Sequence, residues 1–294
     1  MNKTKKLRAG NYKSLIFYIV LMIVPTVQFL VFYIGVNLNS FLLAFKYYDT
    51  TDSYKIDLIK NFAEWFTPKN TEMLWGYFKM SVLAFAVQLV VITPLGVLFA
   101  YYIFKKMPLA GFFRVMLFIP SIVSALVVLK VYKEFLGAAK INWLGSRATD
   151  AQIIFAVMLG NVLVGFGASV LMYANKMATI PPEVIESAQL DGATGFKEFI
   201  YIVFPMIYST FSVFLISSIA TLFTNQINNF ALFGYNAGRT STIGYYLFLQ
   251  LERSNSRVYL LPSLSALGLM ITAITVPITF LIRWLVTKFG PSED

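Results

Sequence analysis

The side chains with the most chemical capacity in this sequence are neutral amides and hydroxyls set among long apolar runs. Asn161 interrupts the run MLGNVLVGFG, between Gly160 and the pair Gly165 and Gly167. Ser217, Ser218 and Thr221 punctuate a later run, which leads into Asn225-Gln226-Ile227-Asn228-Asn229. An amide donates and accepts hydrogen bonds at once, and it is costly in hydrocarbon unless paired. A path lined by such groups would suit a neutral, hydroxyl-rich solute. The same residues also serve helix packing, where small side chains allow close approach and hydroxyls bond across or back onto the backbone. An Asn/Gln cluster equally suits a helix end at a membrane surface. Both readings stay open.

The second concentration of polarity is Pro181 to Pro205, PPEVIESAQLDGATGFKEFIYIVFP. Pro181 and Pro182 can open a helix, because proline is tolerated in the first turn. Glu183 and Glu186 sit near its start, where the helix dipole favours anions. Val184, Ile185 and Ala188 form an apolar face. Asp191-Gly192 reads as a stop, and Thr194 as the cap of a second helix. The expectation is a short amphipathic helix, a sharp turn and re-entry into an apolar run.

Missing residue types exclude much other chemistry. The chain has no histidine and no cysteine. That removes Ser-His triads, His/Cys metal sites and disulfides. No G-x-x-x-x-G-K-[ST] phosphate loop occurs, so ATP hydrolysis by this chain is not expected. No metal or cofactor is expected on it either. Proton- and ion-coupled carriers usually hold carboxylates or histidines at membrane depth. Their scarcity here argues against such a carrier and against a membrane enzyme, although sodium sites built of backbone carbonyls would escape this test.

The elements that must position these groups are membrane spans. The 294 residues are 58% hydrophobic and 13% charged, against roughly a quarter charged in soluble domains. Runs of about 20 apolar residues occur at 14–45, 76–104, 112–135, 152–175, 199–224 and 262–287. The predicted fold class is an all-α membrane protein with six transmembrane helices. Pro25, Pro94, Pro120 and Pro277 fall inside spans, where kinks are tolerated. The basic start, with Lys3, Lys5, Lys6, Arg8 and Lys13, precedes an apolar run too long for a cleaved signal peptide. It places the N-terminus in the cytoplasm. Alternation then puts 105–111, 176–198 and the C-terminal tail inside, together with Lys105, Lys106, Arg114, Lys176, Lys197, Arg283 and Lys288. Residues 46–75, 136–151 and 225–261 fall outside, with Arg239, Arg253 and Arg257 against the trend and 240–250 open to reading as a short re-entrant segment. Lys79 and Lys130 lie near outer ends. The net charge of +10 is explained by such flanks without nucleic acid. Tyr47, Tyr48, Trp65, Phe66, Trp75, Trp143 and Trp284 read as interfacial anchors.

The stretch 181–205 resembles the "EAA" loop of permease subunits in binding-protein-dependent ABC importers. That pattern is Glu-Ala-Ala, three residues, Gly, nine residues, Ile, one residue, Leu-Pro. Here Glu186-Ser187-Ala188, Gly192, Ile202 and Phe204-Pro205 stand at those spacings, around Asp191-Gly192-Ala193. Phe113-Arg114, Phe118-Ile119-Pro120, Ile141-Asn142 and Ile180-Pro181 are similar to the sugar-permease branch, the maltose and glycerol-phosphate type. The Gly-Gly-Pro and Thr of that branch stand here as Tyr235-Asn236-Ala237-Gly238 with Ser241-Thr242.

The resemblance implies one transmembrane domain over 14–289, with a basic cytoplasmic start at 1–13, a cytoplasmic coupling loop at 176–198 and a cytoplasmic tail at 290–294. It implies that Glu186, Ser187, Ala188, Asp191, Gly192, Ala193 and Pro205 couple the spans to an ATPase. It further implies a bacterial plasma-membrane permease that forms a heterodimer with a second, homologous permease. Two ATPase subunits, which hold ATP and magnesium, and an external solute-binding protein complete the importer. A sugar or oligosaccharide is the first expectation for cargo; glycerol phosphate or an amine is the alternative. Asn161, Ser217, Ser218, Thr221, Asn225, Gln226 and Asn228 are the candidates for the path.

Overall fold

Prolines decide where the long helices deform. A proline has no N–H and crowds the carbonyl four residues before it, so the preceding turn must widen or break. In the computed structural model, which describes residues 12–50, 53–145, 147–254 and 258–291, two π-helical turns each end two residues before a proline. Gln88–Ile92 precedes Pro94, and Phe199–Val203 precedes Pro205. Such widened turns are frequent at functional positions. Lys3, Lys5, Lys6, Arg8, Arg257 and the last three residues of the tail lie outside the described residues.

The chain divides into two bodies, Met1–Trp65 with Arg257–Leu269, and Phe66–Ser256 with Met270–Asp294. The first body holds α1 (Tyr12–Gln28), a π-helical turn at Phe29–Gly35, α2 (Val36–Leu43), an antiparallel hairpin of β1 (Lys46–Thr50) and β2 (Ser53–Ile56), and α3 (Lys60–Ala63). Its apolar residues from Leu15 to Leu42 are almost all exposed, as a lipid-facing span requires. The hairpin, paired Tyr47 to Lys55 and Tyr48 to Tyr54, is a local addition to the all-helical expectation. Buried Asn61 holds its base, donating at 2.7 Å to the carbonyls of Ala44 and Lys46. Asp57 caps α3 by accepting the N–H groups of Ile59 and Lys60, which hold its carboxyl below the usual value. Trp65 is not an interfacial anchor. Its ring is buried, and Nε1–H donates to the Ser263 carbonyl at 2.9 Å. Phe66, Trp75 and Trp284 are exposed, as anchors should be.

The second body begins with α4 (Pro68–Val87), which continues through the Gln88–Ile92 turn into α5 (Thr93–Phe104). Together these form one 37-residue membrane-length helix. Then follow α6 (Ala110–Ile122), α7 (Ala125–Ala138), α8 (Asp150–Met177), α9 (Pro182–Leu190), α10 (Phe196–Glu198), α11 (Phe204–Ala220), α12 (Asn229–Phe233) and α13 (Ile243–Ser254). Last comes α14 (Leu261–Phe289), which belongs to this body from Met270 onward. Among the described residues five helices are long and apolar enough to cross a membrane, and six if α6 and α7 count as one broken span.

That break corrects the reading of 112–135 as a continuous helix. α6 and α7 meet at 109°. Pro120 cannot supply the helical donor for the Met116 carbonyl, and Val123 then turns extended. The Ser124 carbonyl starts α7 by accepting from Val127 and Val128 at 2.9 and 3.1 Å. The apolar run at 199–224 also ends earlier than expected, with α11 stopping at Ala220.

Two clusters of buried side chains hold the second body. One joins Val97, Ala100 and Ile103 of α5 to Val170, Tyr173 and Met177 of α8, Ile185 of α9, and Phe199, Val203 and Ile207 around the start of α11. The other joins Met80 and Ala84 of α4 to Leu129, Tyr132 and Leu136 of α7, Val157 and Met158 of α8, Ile227 and Leu232. Gly167 sets the approach of α8 to α6: a Cβ there would lie 2.0 Å from the Leu117 carbonyl oxygen, whereas one on Gly165 meets nothing within 4 Å. Gly167→Ala should therefore force backbone apart and cost about 1–3 kcal/mol. Gly165→Ala should be neutral or stabilising by up to about 1 kcal/mol through helix propensity. Thermal unfolding of the two variants in detergent checks the contrast.

Candidate functional site

Two places concentrate function-bearing side chains, and one helix reaches both. The first is a polar cavity of about 260 Å³ walled by α4, the Gln88–Ile92 turn, α8 and the end of α11. Ser81, Gln88, Asn161, Ser218, Thr221, Asn225 and Thr242 supply its polar lining, with Phe85, Ile92 and Met158 among the apolar wall. A narrower space of about 60 Å³ shares Phe85, Gln88, Ile92 and Ser218 and extends to Ser169 and Tyr173. Of the residues singled out from sequence, Asn161, Ser218, Thr221 and Asn225 line the larger cavity. Ser217, Gln226 and Asn228 do not.

The hydrogen bonds separate wall-builders from uncommitted groups. Asn161 Nδ2 donates to the carbonyls of Val157 and Ile227 at 2.8 and 2.7 Å, and its Oδ1 accepts from Asn228 at 2.7 Å. It ties α8 to the loop that follows α11. That loop needs a tie, because Ile227 and Asn228 both have positive φ, 47° and 53°. Asparagine tolerates this region, but a β-branched residue is strained there. The Ile227 N–H is taken by Asn225 Oδ1 at 2.8 Å. Ser218 and Thr221 hydroxyls bond back to carbonyls of Phe214 and Ser217 one turn earlier, the packing use of intrahelical hydroxyls. Gln88 differs. Its half-buried side-chain amide lines both spaces and has no hydrogen-bond partner among the described residues. In the sequence, a lone amide in AFAVQLVVITP carries the same signal as Asn161.

The second place is α9 and its footing. Pro182 occupies the first helical position. Ile185 and Ala188 are buried and Val184 is left exposed, so the apolar face is narrower than expected. The stop is as read: Gly192 has φ +81°, its N–H reaches the Gln189 carbonyl at 3.0 Å, and the Ala193 N–H reaches Ala188 at 2.9 Å. Thr194 does not cap the next helix. Gly195, at φ 58°, stands at that position, with no side-chain cap. Glu186 and Ser187 are exposed, as are Leu190, 89% accessible, and Phe196.

Beneath this surface lies Glu198, 1% exposed, which sequence alone does not distinguish from other charges near helix starts. Lys105 Nζ donates to both its carboxylate oxygens, at 2.9 and 3.1 Å. Tyr101 donates to Oε1 at 3.1 Å. Gln189 of α9 donates to Oε2 at 3.0 Å. One carboxylate thus joins α9, α10 and the end of α5. It is a buried carboxylate near the start of the membrane-length helix Phe196–Ala220, but it is closed by a lysine and does not line either cavity.

Residues 92–293 match the family described as binding-protein-dependent transport system inner membrane components. The chain belongs to this family. This inner-membrane transport component is 25% identical over 250 residues to the probable starch degradation products transport system permease protein AmyD of Thermoanaerobacterium thermosulfurigenes, covering 80% of each chain. It is 26% identical to the galactooligosaccharides transport system permease protein GanP of Bacillus subtilis, over 70% of this chain and 53% of that protein. It is 30% identical to the maltodextrin transport system permease protein MalC of Streptococcus pneumoniae, over 41% of this chain and 26% of that one. A crystal structure of a bacterial ABC transporter that imports the acidic polysaccharide alginate has a chain of the same fold. The TM-score is 0.74 at 16% identity, covering 94% of this chain and 97% of that one.

Removing one partner of a buried charge pair strands the other. Glu198→Met or Lys105→Met in this transport component should each cost about 3 kcal/mol, at the low end because Lys105 keeps 28% exposure. The double variant should cost less than the sum of the two. A double-mutant cycle of unfolding free energies in detergent measures the coupling.

Proposed function

We propose that this chain is the permease subunit of an ATP-driven ABC importer that passes a sugar or oligosaccharide through the polar cavity. The observation that carries the reading is the cavity wall: amides and hydroxyls among apolar side chains, no charged side chain, and an uncommitted Gln88 amide in its lining. Such a wall exchanges hydrogen bonds with hydroxyl groups without demanding a counter-charge, which favours neutral cargo over glycerol phosphate or an amine. The names of the relatives, which concern starch products, galactooligosaccharides and maltodextrins, point the same way.

In this reading the termini and α9 lie in the cytoplasm, and the chain pairs with a second, homologous permease. Two ATPase subunits bind ATP and magnesium, and an external binding protein delivers the solute. α9 presents Glu186, Ser187 and Leu190 to an ATPase. Asp191, Gly192 and Ala193 close its C-terminus, and Pro205 shapes the turn that returns the chain to the membrane. Glu198 carries the motion of α9 into α5, and the continuous helix behind α5 delivers it to Gln88 in the cavity wall. Ion-coupled transport is disfavoured because neither cavity holds a carboxylate.

Reconstitution with the partner subunits in proteoliposomes tests this reading. Gln88→Ala should lower uptake of a transported maltooligosaccharide by about tenfold, the loss of one good hydrogen bond to solute, while basal ATP hydrolysis persists. Glu186→Ala and Gly192→Val should abolish uptake and solute-stimulated hydrolysis without preventing membrane insertion. Uptake that continues without the ATPase subunits contradicts the reading.

A further inference from the structure

The segment Tyr235-Asn236-Ala237-Gly238, which departs from the sugar-permease pattern, builds a third cavity. Its volume is about 340 Å³, within the size range of small-molecule sites. Tyr77 of α4, Tyr235, Asn236, Gln250 and Arg253 of α13 contribute to its lining. Tyr77 precedes Lys105 by 28 residues on one continuous helix, so the cavity stands about 42 Å along that helix from the Glu198 junction. It lies at the end of this body opposite α9.

The loop is held in place by side chains beneath it. Gly234 and Gly238 supply turns at positive φ, 59° and 53°. Tyr245, 2% exposed, donates its hydroxyl to the Gly234 carbonyl at 2.7 Å and accepts the Ala237 N–H at 3.1 Å. Burial pushes its hydroxyl pKa up, so it stays a donor. Phe230 meets the Tyr235 ring edge-on at 5.4 Å, and Tyr235 remains 57% exposed. The side chains of Asn236, Gln250 and Arg253 have no hydrogen-bond or ion-pair partner among the described residues. An aromatic face, two amides and a guanidinium fork with no ion-pair partner among the described residues thus converge on one space.

We propose that this cavity is an entrance subsite for one glycosyl unit of the cargo. The ring packs on Tyr235, Asn236 and Gln250 bond its hydroxyls, and Arg253 takes a pair of adjacent oxygens in its fork. A vicinal diol and a uronate carboxylate both present such a pair. The inference rests on the sugar-importer reading and adds a second binding position, chemically distinct from the uncharged central cavity.

The test uses the full importer assembly in nanodiscs, with maltotriose and trigalacturonate as probes in saturation-transfer NMR. Tyr235→Ala and Arg253→Gln should weaken binding of at least one probe by about tenfold or more, and should do so in the Gln88→Ala background as well as in the parent. An Arg253→Gln effect on both probes assigns the diol; an effect on trigalacturonate alone assigns the carboxylate. Either result supports the subsite. It is overturned if both variants bind both probes as the parent does, or if only Gln88→Ala removes binding. It is also overturned if the two variants impair only delivery from the loaded binding protein, which would make this a protein-docking surface. A parent that imports sugar but shows no such binding defeats the subsite alone. A parent that imports no sugar defeats the functional reading as well.

Discussion

The ion pair between Glu198 and Lys105 is the constraint on which the rest of the second body depends. A carboxylate with 1% exposure is tolerable only when its charge is matched and its lone pairs are occupied. Here both oxygens accept from Lys105, and Tyr101 and Gln189 fill the remaining directions. Burial makes the arrangement demanding, because moving any one of the three elements away leaves charge stranded in a poorly solvating interior. An apolar contact in the same place would slide at little cost. The carboxylate instead fixes the position of α9 relative to α5.

From that junction α5 runs without interruption through the Gln88–Ile92 turn into α4. Its cytoplasm-proposed end meets Glu198, its middle lines the polar cavity with Gln88 and Ser81, and its first half contributes Tyr77 to the third cavity. The widened turn forced by Pro94 falls beside the cavity, where a helix that must change curvature has its softest point. Asn161 has a different task. Its two hydrogen bonds to Ile227 and Asn228 hold that strained loop against α8, so it shapes the cavity wall, whereas Gln88 has capacity left for a solute.

Local punctuation made much of this legible from sequence. Pro181-Pro182 and Asp191-Gly192 bound α9 because proline and glycine act through their own backbone geometry, with little help from context. Apolar run length located the spans for the same reason. What escaped depends on distant partners. Glu198 looks like any charge near a helix start until Lys105, 93 residues earlier, is folded onto it. The break at Val123-Ser124 was marked in the sequence only by Pro120, which reads equally as a tolerated kink. Trp65 has the composition of a membrane anchor, and only its contact with Ser263 shows it to be core. The hairpin at 46–56 was hidden in a loop of mixed charge.

The central claim is that α9 and the end of α5 move as one piece. The native chain has no cysteine, so spin labels can be placed at will. Labels on cysteines replacing Glu183 and Lys106, in the reconstituted importer, report the distance between α9 and the end of α5 by pulsed electron resonance. The account predicts the same narrow distance distribution without nucleotide and with ATP, and a broadened one when Glu198→Ala is added. A distance that shifts with ATP in the parent, or one indifferent to Glu198→Ala, would contradict it.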